Sequence, residues 1–313
     1  MQSFFVVSGE HVELAKDEVV AISKSYDKST SFKSDSRLVI TNSKVPWSKI
    51  AQRVTFVRTA GKIVDTFSDL FSELDLSLLH KSDMFACRAI NLSSKKLDLT
   101  HMEKLAGTLI KQTSGATVSL SKPLVTVYLI FTDSQNYLGY STKLEKQERP
   151  KKVFRSSSEL PWKLGRLMVN LARLNEKEVL CDPFCGTGTI LLEAEFMGIK
   201  SIGIDYDKRM CDGARKNLVA NGYNSKIINA DYNYIQKIKD RIDGIVTDLP
   251  YGISSRSSQS PKQLIHDFIS ILPKRKKIAV MCKKELADHI ELKPAKKYEI
   301  YRHKSLTRTI LVK

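Results

Sequence analysis

The sequence predicts an α/β protein in two parts, a mixed α+β first half and then a mostly parallel sheet covered by helices. Three observations carry this. At 313 residues the chain is long enough for about two domains. From Glu178 onward, apolar runs of strand length alternate with helical patterns, the rhythm of βαβ units. And Val179-Leu180-Cys181-Asp182 runs into Pro183-Phe184-Cys185-Gly186-Thr187-Gly188-Thr189, a strand closing on a Gly-x-Gly turn that opens a helix.

The elements follow in order. Phe4 to Val7 is an apolar strand, Glu10 to Lys24 carries Leu14, Val19 and Ile22 at helical spacing, and Arg37 to Ile40 is a second strand. A helix and strand follow Pro46-Trp47. Then come a strand (Phe85 to Leu92), a helix (Leu99 to Lys111), strands Ala116 to Leu120 and Val125 to Phe131 parted by Pro123, and a short strand Tyr137 to Tyr140. No parallel βαβ rhythm is read in this half, which suggests a binding platform. Residues 141–158, STKLEKQERPKKVFRSSS, are polar and basic and read as a linker or docking segment. Beyond it the spacing predicts strands at Glu178 to Pro183, Ser201 to Asp205, Lys226 to Asp231, Ile242 to Asp248 and Lys277 to Cys282. Helices are predicted at Thr189 to Met197, Lys208 to Ala220 and Pro261 to Leu272, with a closing hairpin from Tyr298 to His303 and Arg308 to Val312.

Composition removes several classes. With 42% hydrophobic and 27% charged residues, neither wholesale disorder nor a coiled coil is expected. No apolar stretch reaches the roughly 18 residues a membrane helix needs, and MQSFFVVSGEH lacks a basic n-region, so a cytoplasmic protein with no membrane partner is expected. Five scattered cysteines without a CxxC pair read as reduced thiols and no metal site. The net charge of +17 points to a polyanion. Residues 1–150 hold 20 Lys+Arg and 16 Asp+Glu, whereas residues 274–313 alone hold 13 and 4, so the excess gathers late in the chain.

The chemistry gathers where the second-half strands end. In the Gly-x-Gly turn the glycines admit close approach of a ligand, yet Leu191 stands where a dinucleotide fingerprint wants its third glycine, so a pyrophosphate is disfavoured. Asp205 ends the next strand, seventeen positions after Gly188, suited to a ribose diol, and Asp207 reads as a helix N-cap. Asp231 ends the third strand, where an acid can accept from an adenine amine. Together these favour a nucleoside ligand without a pyrophosphate. The fourth strand ends in Asp248-Leu249-Pro250-Tyr251. A carboxylate followed by a backbone carbonyl offers two acceptors to the N–H groups of an exocyclic amine, Pro250 stiffens the turn, and Tyr251 offers a stacking face.

These motifs resemble S-adenosylmethionine-dependent class I methyltransferases acting on exocyclic amines. Asp182 to Thr189 is similar to their first motif, and Asp248-Leu249-Pro250-Tyr251 to their [DN]-P-P-[YF] motif with Leu in second place. Met84 to Tyr140 resembles a THUMP domain, Leu160 to Ala172 the helix before the first motif, and Tyr301 to Arg308 a C-terminal hairpin of THUMP-containing N2-guanosine methyltransferases. The whole chain resembles the archaeal tRNA guanine-10 N2-methyltransferases. The resemblance implies a ferredoxin-like plus THUMP RNA-binding region at 1–140, a basic linker at 141–158, and at 159–313 a Rossmann-like domain with a seven-stranded sheet. It implies transfer of one or two methyl groups to a tRNA guanosine, with Asp248, Leu249, Pro250 and Tyr251 at the acceptor. Asp182, Phe184, Gly186, Thr187, Gly188, Asp205, Tyr206, Asp231 and Tyr232 would hold the cofactor. Arg155, Lys274, Arg275, Lys276, Lys277, Arg302, Lys304 and Arg308 would face RNA. His266 and His289 read as helix-surface residues and His303 as either RNA-facing or solvated. The alternatives are adenine-N6 or ribosomal RNA methylation and a non-catalytic RNA-binding scaffold; a monomer and a partnered subunit both remain open.

Overall fold

The computed structural model describes residues 1–68, 79–81, 83–145, 147–157, 159–250, 260–288, 290, 292, 296–303 and 306–313. It divides into two compact units, Met1–Gln147 and Glu148–Lys313.

The first unit comprises β1 (Gln2–Val7), α1 (Val12–Tyr26), β2 (Ser31–Asp35), β3 (Leu38–Asn42), α2 (Trp47–Ala51), β4 (Val57–Phe67), β5 (Met84–Asn91), α3 (Leu99–Ser114), β6 (Thr117–Val118), β7 (Val125–Phe131) and β8 (Asn136–Thr142). These strands form one sheet in the order β2-β3-β1-β4-β8-β7-β5-β6. Its apolar run of Phe4, Phe5, Val6 and Val7 is buried on both faces, as a central strand requires. Gly61 and Gly139 are needed where the Phe4 ring crosses β4 and β8, since a Cβ on either would lie within 3 Å of that ring. Two features differ from the sequence reading. β2 is an exposed, polar edge strand with no apolar alternation to announce it. β5 and β7 pair in parallel, Phe85 opposite Val125 through Asn91 opposite Phe131, so the unit does contain a strand–helix–strand crossover through α3. β6 has only two residues and hides the pattern.

The second unit comprises α4 (Trp162–Leu171), β9 (Val179–Asp182), α5 (Thr189–Phe196), β10 (Lys200–Asp205), α6 (Lys208–Val219), β11 (Lys226–Asn229), α7 (Ile235–Ile238), β12 (Gly244–Asp248), α8 (Pro261–Ser270), β13 (Lys277–Lys283), α9 (Lys284–Ala287), β14 (Lys296–His303) and β15 (Leu306–Val312). The strand order is β11-β10-β9-β12-β13-β15-β14. The first five run parallel; β15 is antiparallel to both β13 and β14. From β9 the chain winds outward through β10 and β11, then returns to β12 beside β9. That reversal opens a crevice beyond the carboxyl ends of β9 and β12, the standard ligand position of an open α/β sheet.

Candidate active site at the carboxyl edge of the parallel sheet

β9 and β12 end in Asp182 and Asp248, so the sheet reversal brings the two acidic motifs together. They are also tied. Thr247, the residue before Asp248, donates its hydroxyl to Asp182 Oδ1 at 2.7 Å, and the Phe184 N–H donates to the same oxygen at 3.2 Å. Asp182 is 2% exposed. Burial pushes its carboxyl up to about 7, with the charges of Asp205 and Asp248 acting in the same direction against the two hydrogen bonds. Three carboxylates in one crevice make a field that suits a cation.

The turn after Asp182 requires glycine twice, with φ of 51° at Gly186 and 81° at Gly188. A Cβ on Gly186 would meet nothing within 4 Å, so this glycine faces open space where a ligand can approach the backbone. Asp205 holds the turn in place. Its Oδ2 accepts from Gly186 N–H at 2.8 Å and its Oδ1 from Asp207 N–H at 2.9 Å, and burial raises its pKa above the ordinary carboxylate value. A carboxylate has about four lone-pair sites. Among the described residues these bonds use one on each oxygen, which leaves each oxygen able to accept from a vicinal diol. Asp207 caps α6 through Arg209 N–H.

Asp231 is exposed and accepts from the backbone and side-chain amides of Asn233. The two tyrosines part company. Tyr206 is 61% exposed, whereas Tyr232 is 8% exposed and packs with Phe184 and Phe268 at ring distances of 5.5 and 5.8 Å. Tyr232 is therefore a core residue, and Phe184 anchors the first turn to the same aromatic cluster. Asn229, passed over in the sequence, donates to the carbonyls of Asp205 and Tyr206 and fixes the end of β10.

The segment expected as a linker is docked on this unit. Asn217 Oδ1 accepts from the N–H groups of Val153 and Phe154, and its Nδ2 donates to the carbonyls of Phe154 and Thr187. Asn221 pairs both ways with Lys151. Gly213, Asn217 and Asn221 lie four residues apart on one face of α6 and its extension, a signal readable in the sequence once the face is known to be covered. A Cβ at Gly213 would collide with the Phe154 ring. Lys152 then reaches in, donating to Thr187 Oγ1 at 2.9 Å and Thr189 Oγ1 at 2.6 Å, with Glu159 at 3.0 Å. Burial lowers its pKa below the usual 10.5. Lys152→Met loosens the Gly-x-Gly turn from outside. The expected result is a cofactor Kd about 10-fold weaker, equivalent to roughly one net hydrogen bond, with kcat at saturating cofactor within twofold of wild type, measured by titration calorimetry and steady-state kinetics.

At the turn after β12, Leu249 N–H donates to Met281 carbonyl at 2.8 Å and its side chain is fully buried, so the peptide following Asp248 is held by the sheet. Pro250 is exposed. Tyr251 lies outside the described residues. Asp248 Oδ2 accepts from Arg308 Nη1 at 3.3 Å.

The basic residues need correction. Arg308 is 7% exposed and bound to Asp248, so its guanidinium is turned inward to the end of β12. Lys277 Nζ donates to Glu178 Oε1 and to the Arg173 carbonyl, an internal tether. Lys277 also stands opposite Gly244, the first residue of β12, while Asp248 is the last. Lys274, Arg275 and Lys276 precede it in the same loop, at the end of the sheet away from the crevice. With about 3.3 Å per residue along a parallel strand, that separation exceeds 10 Å. Charge density in the sequence carries no information on which end of a strand a loop occupies. Arg155 is exposed and stays compatible with an RNA-facing role. The Arg302 and His303 side chains, Lys304 and His289 lie outside what is described; His266 is exposed beside Asp267. Among the described residues no group of His, Cys, Asp and Glu could hold a metal, and no helix is long and apolar enough to cross a membrane.

A family profile described as UPF0020, RMKL-like methyltransferase domain, matches residues 149–309, essentially the second unit. A tRNA (guanine(10)-N2)-dimethyltransferase of Methanothermobacter thermautotrophicus is 30% identical over 100% of this chain and 99% of its own. The chain belongs to that methyltransferase family. A second tRNA (guanine(10)-N2)-dimethyltransferase, from Methanocaldococcus jannaschii, is 28% identical over 98% of each chain. A profile described as DNA methylase matches residues 7–216, a span that crosses both units and stops short of Asp248. Among solved structures, TrmN from Thermus thermophilus superposes with a TM-score of 0.54 at 17% identity, covering 100% of this chain and 99% of that one, which shows the shared fold. The methyltransferase uses S-adenosylmethionine, and its crevice fits that cofactor. Gly186 presents open backbone, Asp205 keeps acceptors for a ribose, and the neighbouring carboxylates of Asp182 and Asp205 suit a ligand bearing sulfonium and ammonium charge.

Proposed function

We propose that this methyltransferase modifies the exocyclic N2 amine of a guanosine in tRNA, at position 10, in the cytoplasm, and that residues 1–147 form the RNA-holding, THUMP-containing part. The observation that carries the reading is the Thr247 to Asp182 hydrogen bond, which binds the amine-acceptor turn to the cofactor turn within one crevice. The tRNA relatives supply the substrate class.

When bound, S-adenosylmethionine supplies a methyl carbon whose bond pair returns to sulfur as the nitrogen lone pair forms the new N–C bond. The chain's own groups do the rest. The target guanosine leaves its stack to reach the crevice. Asp248 and the Leu249 carbonyl accept the two amine N–H groups, which turns the nitrogen lone pair out of conjugation with the ring. As the nitrogen becomes cationic, the Asp248 carboxylate stabilises it and takes up its proton or passes it to water.

The test is incubation with methyl-labelled cofactor and unmodified tRNA, followed by nucleoside mass spectrometry. Label on N2 of a guanosine at position 10 is expected, and the same spectrum reads one methyl or two. Label confined to adenosine overturns the proposal.

A further inference from the structure

Arg308 lies 60 residues beyond Asp248 in sequence and two strands away in the sheet. On β15 it stands opposite Lys283 of β13, whereas Asp248 on β12 stands opposite Met281 of the same strand. With about 4.8 Å between neighbouring strands and about 3.3 Å per residue along them, the two backbone positions are roughly 12 Å apart, a span that the arginine and aspartate side chains cover together. Its guanidinium and the Asp248 carboxylate meet at 3.3 Å, with the two side chains 8% and 14% exposed. Bringing both charges out of water is costly. An ion pair this enclosed at the acceptor turn is poorly explained as a stability device, because apolar residues of like volume commonly serve as well.

We propose that Arg308 is the positioning residue of the acceptor turn. By engaging Oδ2 it fixes the plane of the Asp248 carboxylate before the base arrives, so that the carboxylate meets the amine in one orientation. The buried guanidinium acts through Asp248 and touches neither base nor phosphate. Reach matters as well as charge, since lysine carries its point charge on a shorter stem. This rests on the reading of Asp248 as amine acceptor.

Three variants of the full-length enzyme test it: Arg308→Met, Arg308→Lys, and Arg308→Met combined with Asp248→Asn. Label is scored on any nucleoside, so the result holds whichever base accepts the methyl, and wild type run in parallel tests the guanosine reading separately. In Arg308→Met, kcat falls about 100-fold, the scale of a misplaced reacting group, while KM for tRNA and Kd for cofactor stay within twofold. Arg308→Lys retains an intermediate kcat and shows that the effect outlasts correct folding. In the Asp248→Asn background, Arg308→Met causes no further loss, because the carboxylate it positions is gone; additive losses would mark a merely structural role. The slope of log K for tRNA against log salt stays as in wild type. A slope shallower by about one unit with kcat intact would assign Arg308 to a phosphate. That outcome, unchanged kcat in both single variants, or additivity overturns the proposal.

Discussion

Asp248→Ala reduces kcat for methyl transfer by about 1000-fold or more while the cofactor Kd stays within twofold. Removing the carboxylate deletes an acceptor for the amine and the charge that stabilises the nitrogen as it becomes cationic, and such groups account for roughly 100- to 10,000-fold each. The cofactor turn survives, since Asp182 is held by Thr247 and the Phe184 N–H, and Leu249 remains tied to Met281. The same substitution removes the carboxylate that faces the buried Arg308 guanidinium, which lowers stability. Thermal unfolding must therefore accompany the kinetics. Asp248→Asn keeps an acceptor oxygen and the volume, and it should retain measurable activity. An active Asp248→Ala enzyme would remove the acceptor turn from the mechanism.

Asp182 governs how stability and cofactor affinity depend on pH. Because burial lifts its carboxyl from the ordinary 3.8 to about 7, the folded apo protein keeps a proton between those values that the unfolded chain has already released. The folded state thus binds more protons in that window, and apo stability falls as pH rises through it. Above it the folded carboxylate is ionised and buried beside two other acids. Asp182→Asn abolishes this titration. The variant is expected to show a flatter profile of Tm against pH and, at pH 8, a gain of at least about 1 kcal/mol, or roughly 2–4 °C. The cofactor responds oppositely. A cationic ligand favours the ionised carboxylate, so wild-type affinity for S-adenosylmethionine should strengthen from pH 6 to 8, and less so for S-adenosylhomocysteine, which lacks the sulfonium charge. In Asp182→Asn affinity drops about 10-fold or more and loses its pH dependence. Calorimetric titration at three pH values checks this; a flat wild-type profile would refute the electrostatic role of Asp182.

Much of the local geometry of the crevice could be read from the chain because its determinants are contiguous. The Gly186-Thr187-Gly188 turn, Asp205 two residues ahead of its helix cap, and the Asp248 turn each occupy a few consecutive residues, where local backbone requirements restrict residue type. Tyr232 misled, because an aromatic after a strand reads alike whether it points to a ligand or, as here, into the Phe184 and Phe268 cluster. The place of the basic tail in the fold was not legible for a related reason. Charge counts locate Lys274 to Lys277 in sequence, but the direction of β13 puts them at the end of the sheet opposite Asp248.

The sequence by itself determined the two-part α/β order, the family, and the short motifs that carry the chemistry, since these depend on local periodicity and turn geometry. Only the tertiary structure decided what joins those motifs. The contacts of Thr247 with Asp182, Lys152 with Thr187, and Arg308 with Asp248 span 65, 35 and 60 residues. No local rule links positions so distant in the chain. They meet because strand order places β9 beside β12 and brings β15 within reach of side chains on β12, which makes Arg308 the partner of the Asp248 carboxylate.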